Sequence, residues 1–172
     1  MSLLKLVSMP PNINKKNYRL ADMSTKPDEA VRYPDPDEST GFIEDRVDTA
    51  ELGTVLYIRE WRGNDDMVEQ FALMLNVTPA HAEYSRCKAL KGSQKNFEQV
   101  RRTDTWHSTV HSHQYFIDCF DCDRQVHEAL AGGAQKEKSR RVVNGMYQKH
   151  YNEMVYNPSC YLDRWRAGKD YE

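Results

Sequence analysis

Apolar positions along this 172-residue chain recur at helical spacing in three regions. Asn64 is a suitable N-cap, and Met67, Val68, Phe71, Ala72 and Leu75 follow it on one helical face, which predicts a first helix. Thr78-Pro79 restarts a helix, because proline suits the first helical position. Ala80, Tyr84 and Cys87 share its face, and Gly92 is a natural stop. Further on, Phe116, Cys119, Val126 and Leu130 form a stripe that Asp123 interrupts. AGGAQKEKS reads as a turn, and Val143, Met146, Tyr147, His150 and Met154 give a return helix its apolar side. The run TVLYIREW, residues 54–61, is too short for periodicity to settle its type. Residues 9–41 are rich in proline, acidic groups and turn formers with no apolar period, so they read as an arm whose Val31 and Tyr33, with the nearby Phe42, are anchors for a partner. The expected fold is mostly α: an extended arm over 1–41, a helical extension over 42–108 carrying an N-terminal helix pair, and a C-terminal antiparallel helical hairpin with a tail over 109–172.

Composition fits a modest core with arms laid on another protein. Hydrophobic residues are 39% and charged residues 29% of the chain, and mean hydropathy is -0.84. A formal net charge of -2 removes the bulk electrostatic case for nucleic acid or anionic lipid. No apolar run approaches the ~20 residues of a membrane helix. The start, MSLLKLVSMPPNINKK, lacks the small-residue cleavage site of a secretory signal. Four cysteines at 87, 119, 122 and 160 are too few and too uneven for a disulfide-dense scaffold.

Chemistry is sought first in HSHQYFIDCFDCDRQVHEAL, residues 111–130. Cys119 and Cys122 with His113 and His127 offer zinc-type donors, but one helix cannot wrap four ligands around an ion, and small hydrophobic thiols on a core face account for the pair. Asp118, Asp121 and Asp123 raise thiol pKa values, which argues against redox work. Helix-turn-helix rhythm over 64–91 raises DNA binding, yet residues 79–87 supply only His81, Ser85 and Arg86, opposed by Glu83. No phosphate loop, nucleophile elbow or spaced carboxylate constellation is present. These residues assign no catalytic, cofactor or metal role.

The eleven residues SHQYFIDCFDC and the later Tyr147, Tyr151 and NPSCYLDRWRAG resemble cytochrome c oxidase subunit VIb, a helical-hairpin family of the twin C-x9-C class. Gln114, Phe116, Asp118 and Cys122 fall on the family's first-helix motif. Tyr147 and Tyr151 match its tyrosine pair, Pro158 its proline, Tyr161 and Trp165 its two tryptophans, and Arg166 its closing basic residue. Ser112, Asn144 and Asn157 stand where the family has cysteines, so the hairpin's bridges are missing and packing or a host complex must replace ~2–4 kcal/mol per bridge. The resemblance implies a non-catalytic accessory subunit of mitochondrial respiratory complex IV. It would be peripheral on the intermembrane-space side of the inner membrane and touch other subunits, with no cofactor or small-molecule substrate of its own. Alternatives are a divergent hairpin subunit of another mitochondrial complex, or a small helix-turn-helix DNA-binding protein.

Overall fold

A computed structural model describes residues 32–35 and 41–169. Its centre is a six-stranded antiparallel sheet in simple chain order: β1 (Gly41–Asp48), β2 (Thr54–Arg62), β3 (Val68–Val77), β4 (Glu98–Asp104), β5 (Thr109–Tyr115) and β6 (Cys122–Ala129). Among the described residues three α-helices accompany it: α1 (Tyr84–Lys91), α2 (Lys136–Tyr156) and α3 (Ser159–Ala167). The mostly α expectation is therefore corrected. The helix expected after Asn64 is a turn and then β3, and the stripe from Phe116 to Leu130 is a loop and then β6. Strands β4 and β5, on either side of the 3-10 turn Trp106–Ser108, pair with each other in this one sheet.

Physical reasons for the correction lie in the periods. Met67, Val68, Phe71, Ala72 and Leu75 lie on one helical face, but Phe71, Leu73, Leu75 and Val77 alternate just as well, and all four are buried. Leu73 on β3 pairs with Ile58 on one side and Thr103 on the other, so it sits at the middle of the sheet. Leu56, Ile58, Phe71, Leu73 and Leu75 make one apolar face against Tyr147, Met154, Leu162 and Trp165 of α2 and α3. Phe71 meets Tyr147 edge-on at 5.6 Å. Each such large side chain, fully buried, contributes roughly 1.5–3 kcal/mol.

Several expectations keep their place. Gly92 stops α1 in the left-handed region at φ 63. The return helix is α2, with Val143, Tyr147, His150 and Met154 buried, and Pro158 ends it by opening α3. It has no antiparallel helical partner before it, because the segment that should pair with it is strand. Gly53, at the β1–β2 turn with φ 76, is required: a Cβ there would lie 2.3 Å from the backbone nitrogen of His81.

Most of the expected arm lies outside the described residues, Val31 included. Tyr33 is buried in the protein's own core rather than offered to a partner. Its backbone N–H donates to Ser108 Oγ at 3.2 Å and its hydroxyl to the Glu69 carbonyl at 3.0 Å. Phe42 is half-exposed on β1, with its ring 5.0 Å from that of Trp61. No described helix is long and apolar enough to cross a membrane.

Candidate functional site

Antiparallel register builds the site directly. His113 on β5 pairs with Arg102 on β4 and with Arg124 on β6, so these three form one row across the sheet. The next row is Asp104, His111 and Val126. Residues two apart on a strand point the same way, so both rows share a face, the one turned away from α2 and α3. Donor atoms of Asp104, His111 and His113 all lie within 4.8 Å of one another. They line a cavity of about 210 Å³ with Arg102, Trp106, His107 and Arg124.

The carboxylate of Asp104 is buried and held on three sides. Arg102 Nε is 2.6 Å from Oδ2, His111 Nε2 is 3.2 Å from Oδ1, and the Trp106 backbone N–H donates to Oδ1 at 3.1 Å. His111 Nδ1 lies 3.0 Å from Thr109 Oγ1, whose hydroxyl is also 3.2 Å from the Trp106 carbonyl. With the hydroxyl proton on that carbonyl, which can only accept, the Thr109 oxygen receives Nδ1–H of His111. Nε2 is then a bare lone pair facing the carboxylate. With the hydroxyl proton on Nδ1, Nε2–H donates to Asp104 instead. Burial, more than any neighbour, pushes the His111 pKa down to about 4, against the opposing pull of Asp104. His113 meets His111 edge-on at 5.0 Å, and its Nδ1 is 3.3 Å from Cys122 Sγ.

The rim of the cavity carries backbone strain. His107 (φ 61) and Ser108 (φ 55) are consecutive non-glycine residues in the left-handed region. Such residues cost of order 1–3 kcal/mol each and cluster at ligand sites. The loop they belong to is short: Thr105 is fixed to β3 through Phe71, whose N–H donates to Thr105 Oγ1 at 3.0 Å.

The opposite face, under α2 and α3, holds a second polar cluster. Ser112 Oγ is 2.7 Å from both Thr103 Oγ1 and His127 Nε2. The His127 and His150 rings are 4.9 Å apart. His150 Nδ1 contacts Glu153 Oε2 at 3.2 Å, and the Tyr161 hydroxyl donates to the same oxygen at 2.6 Å. The Arg101 guanidinium lies 4.4 Å from the Tyr161 ring centre. Burial lowers the pKa of His127, with Arg101 adding to it, and lowers that of His150 to about 4, with His127 adding to it.

The residues singled out by the resemblance meet in pairs, Gln114 with the Tyr161 carbonyl and Tyr147 with Tyr151, and not at the cavity. Gln114 points under the helices and donates through Nε2 to the carbonyls of Val100, Tyr115 and Tyr161. Phe116 is buried just past β5. Asp118 Oδ1 receives the Lys169 N–H at 3.3 Å. Tyr147 and Tyr151 stack on α2 at 5.9 Å. Trp165 is fully buried, and Arg166 bonds Glu51 and Asp163. Of that set only Cys122 borders the cavity's histidines. The four donors weighed for zinc also divide: His113 joins Asp104 and His111, whereas His127 belongs to the other face. No disulfide joins any of the four cysteines. Sequence reasoning missed Asp104, His111, Arg102 and Arg124. The period-two spacing of His111 and His113 was their signal, hidden once that stretch was read as helix.

No family model, no curated protein and no solved structure matches this chain.

Proposed function

We propose that the protein holds one divalent first-row transition-metal ion at Asp104, His111 and His113 and uses it to bind and polarise a small anionic ligand. The observation that carries this reading is the convergence of donor atoms of Asp104, His111 and His113 to within 4.8 Å of one another. With Nδ1–H of His111 given to Thr109, its Nε2 lone pair faces the Asp104 carboxylate at 3.2 Å, and a cation there turns repulsion into coordination. Two imidazoles and one carboxylate suit zinc or iron(II) and leave coordination positions toward the cavity. The Thr109 hydroxyl supports Nδ1 of His111 in the way that ligating histidines are usually oriented by an outer partner. With metal–ligand bonds of ~2.1 Å, three donors in tetrahedral array sit about 3.4 Å apart. The present triad closes to that by side-chain rotation of the order of 1 Å. Arg102 and Arg124 flank the centre and favour an anion.

Titration of the metal-free full chain with cobalt(II) tests this. A visible absorption band saturating at one ion per chain is expected, and it should vanish in His113→Ala with the far-ultraviolet circular dichroism unchanged. The competing tautomer, with Nε2–H donated to Asp104, predicts no stoichiometric band. That result, or a band indifferent to His113→Ala, sinks the reading. The accessory-subunit role implied by the cytochrome c oxidase resemblance draws no support from the site, since of its motif residues only Cys122 borders the cavity's histidines.

A further inference from the structure

We infer that the ligand of this centre is a nucleoside monophosphate, held by its phosphate between two arginines and stacked by its base on Trp106. The inference rests on the metal reading for where the phosphate lies, and on three other side chains for its chemistry. Neighbouring strands are about 4.8 Å apart, so Arg102 and Arg124, both paired with His113, stand roughly 10 Å apart with the histidine between them. Two arginine side chains rising from backbones at that spacing into one cavity are long enough to bring their guanidinium forks to one tetrahedral oxyanion from opposite sides, the geometry in which arginine outperforms lysine for phosphate. Arg102 is already aligned by its contact with Asp104 at 2.6 Å.

Trp106 supplies the second half of the recognition. Its indole lines the same cavity yet is 48% exposed, although a large apolar side chain gains by burial. Its backbone is fixed by the N–H bond to Asp104 and by the left-handed residues His107 and Ser108 that follow. An indole carried on a fixed backbone with a wet face is a stacking platform for a planar ring. At about 210 Å³ the cavity is smaller than the ~300 Å³ at which drug-sized sites begin. It accepts a phosphate and leaves the sugar and base at the rim, where Trp106 is. A chain of formal net charge -2 offers a polymeric nucleic acid no bulk electrostatic attraction. A single nucleotide is therefore the better match than RNA or DNA.

Calorimetric titration of the full chain, metal-free and cobalt-loaded at one fixed salt concentration, separates the parts. The probes are adenosine monophosphate, ribose 5-phosphate, adenosine, and a short single-stranded oligoadenylate without terminal phosphate. Base stacking should make adenosine monophosphate bind roughly 5- to 150-fold tighter than ribose 5-phosphate, with adenosine weakest. Trp106→Ala should erase that difference and leave ribose 5-phosphate unchanged; only the backbone of Trp106 bonds Asp104, so the fold should survive. Arg124→Gln should weaken both phosphates by the same factor. Equal affinity for the two phosphates, indifference of adenosine monophosphate to Trp106→Ala, or tighter binding of the oligonucleotide would each overturn the inference. The cobalt band reports separately: with the band present and nucleotide selectivity absent, the metal reading stands and this inference falls. With the band absent, the metal reading falls and the metal-free titration still judges the nucleotide.

Discussion

Acid should loosen this protein through His150. The side chain is 2% exposed, and its Nε2 has no hydrogen-bond partner. Facing it are His127 from β6, Glu153 from its own helix and Arg101 from β4, with Lys149 beside it on α2 and Tyr161 bonded to the same Glu153 oxygen. Burial, then His127, takes its pKa from 6.5 to about 4, while Glu153 pulls the other way. Below pH 6.5 the unfolded chain accepts a proton at this residue that the folded chain refuses. Stability is therefore fully present above that pH and is lost as the pH falls toward about 4. The whole window is worth about 3 kcal/mol, and about 2 kcal/mol of it is gone at pH 5. Because His111 and the carboxylates titrate in the same range, the measurement is a difference. Urea unfolding of wild type and His150→Gln, followed by circular dichroism at fixed ionic strength, should be compared at pH 7.5 and pH 5. Glutamine stays neutral throughout, so the gap in unfolding free energy should shift by about 2 kcal/mol in favour of the variant at the lower pH. Parallel losses, equal within about 0.5 kcal/mol, would show that His150 titrates normally and that the cluster is not closed to protons.

Other outcomes follow from single features. Gly53→Ala should destabilise by about 2 kcal/mol or more in chemical denaturation, because both its φ and the nearby His81 backbone oppose a Cβ. Leu73→Ala, on the central strand and fully buried, should cost about 2–5 kcal/mol by the same assay. Tyr33→Phe removes a hydroxyl donated to Glu69 and should cost about 1 kcal/mol, which checks that residues 32–35 belong to the fold. In timed alkylation of native protein Cys160 should react first and Cys87 last, since Cys160 is exposed, while Cys87 is buried and burial pushes its thiol up to about 11.

The sequence showed α2 plainly because its buried residues recur at helical spacing on one face. It showed α1's end because Gly92 needs φ 63. The strands β4 and β5 were not legible, and the reason is specific. Among their buried positions only Val100 and Val110 are apolar, while Arg101, Thr103, Ser112 and Gln114, which face the helices, are polar. Alternation of apolar and polar residues, the ordinary mark of a half-buried strand, is therefore absent where the site is built. The buried groups satisfy one another across the sheet, as Thr103 does with Ser112. A sequence pattern weighs hydrophobicity and cannot see such pairing. The same limit hid the candidate centre: Asp104 and His111 are seven residues apart, and only the β4–β5 register makes them neighbours.

A sheet whose strands pair strictly in chain order has a consequence for how the molecule is made. Every strand pairing joins segments that leave the ribosome consecutively, so hairpins can form one after another, with short loops to close except between β3 and β4, where residues 78–97 carry α1. The helices that cover the apolar face, α2 and α3, are synthesised only after β6. Until then Leu56, Phe71, Leu73 and Leu75 present an uncovered apolar surface flanked by the open edges of β1 and β6. For that interval the nascent sheet has the features of an aggregation-prone intermediate. A slower rate of translation through residues 130–167 would lengthen its exposure, and a chaperone that grips apolar strands would find its substrate there.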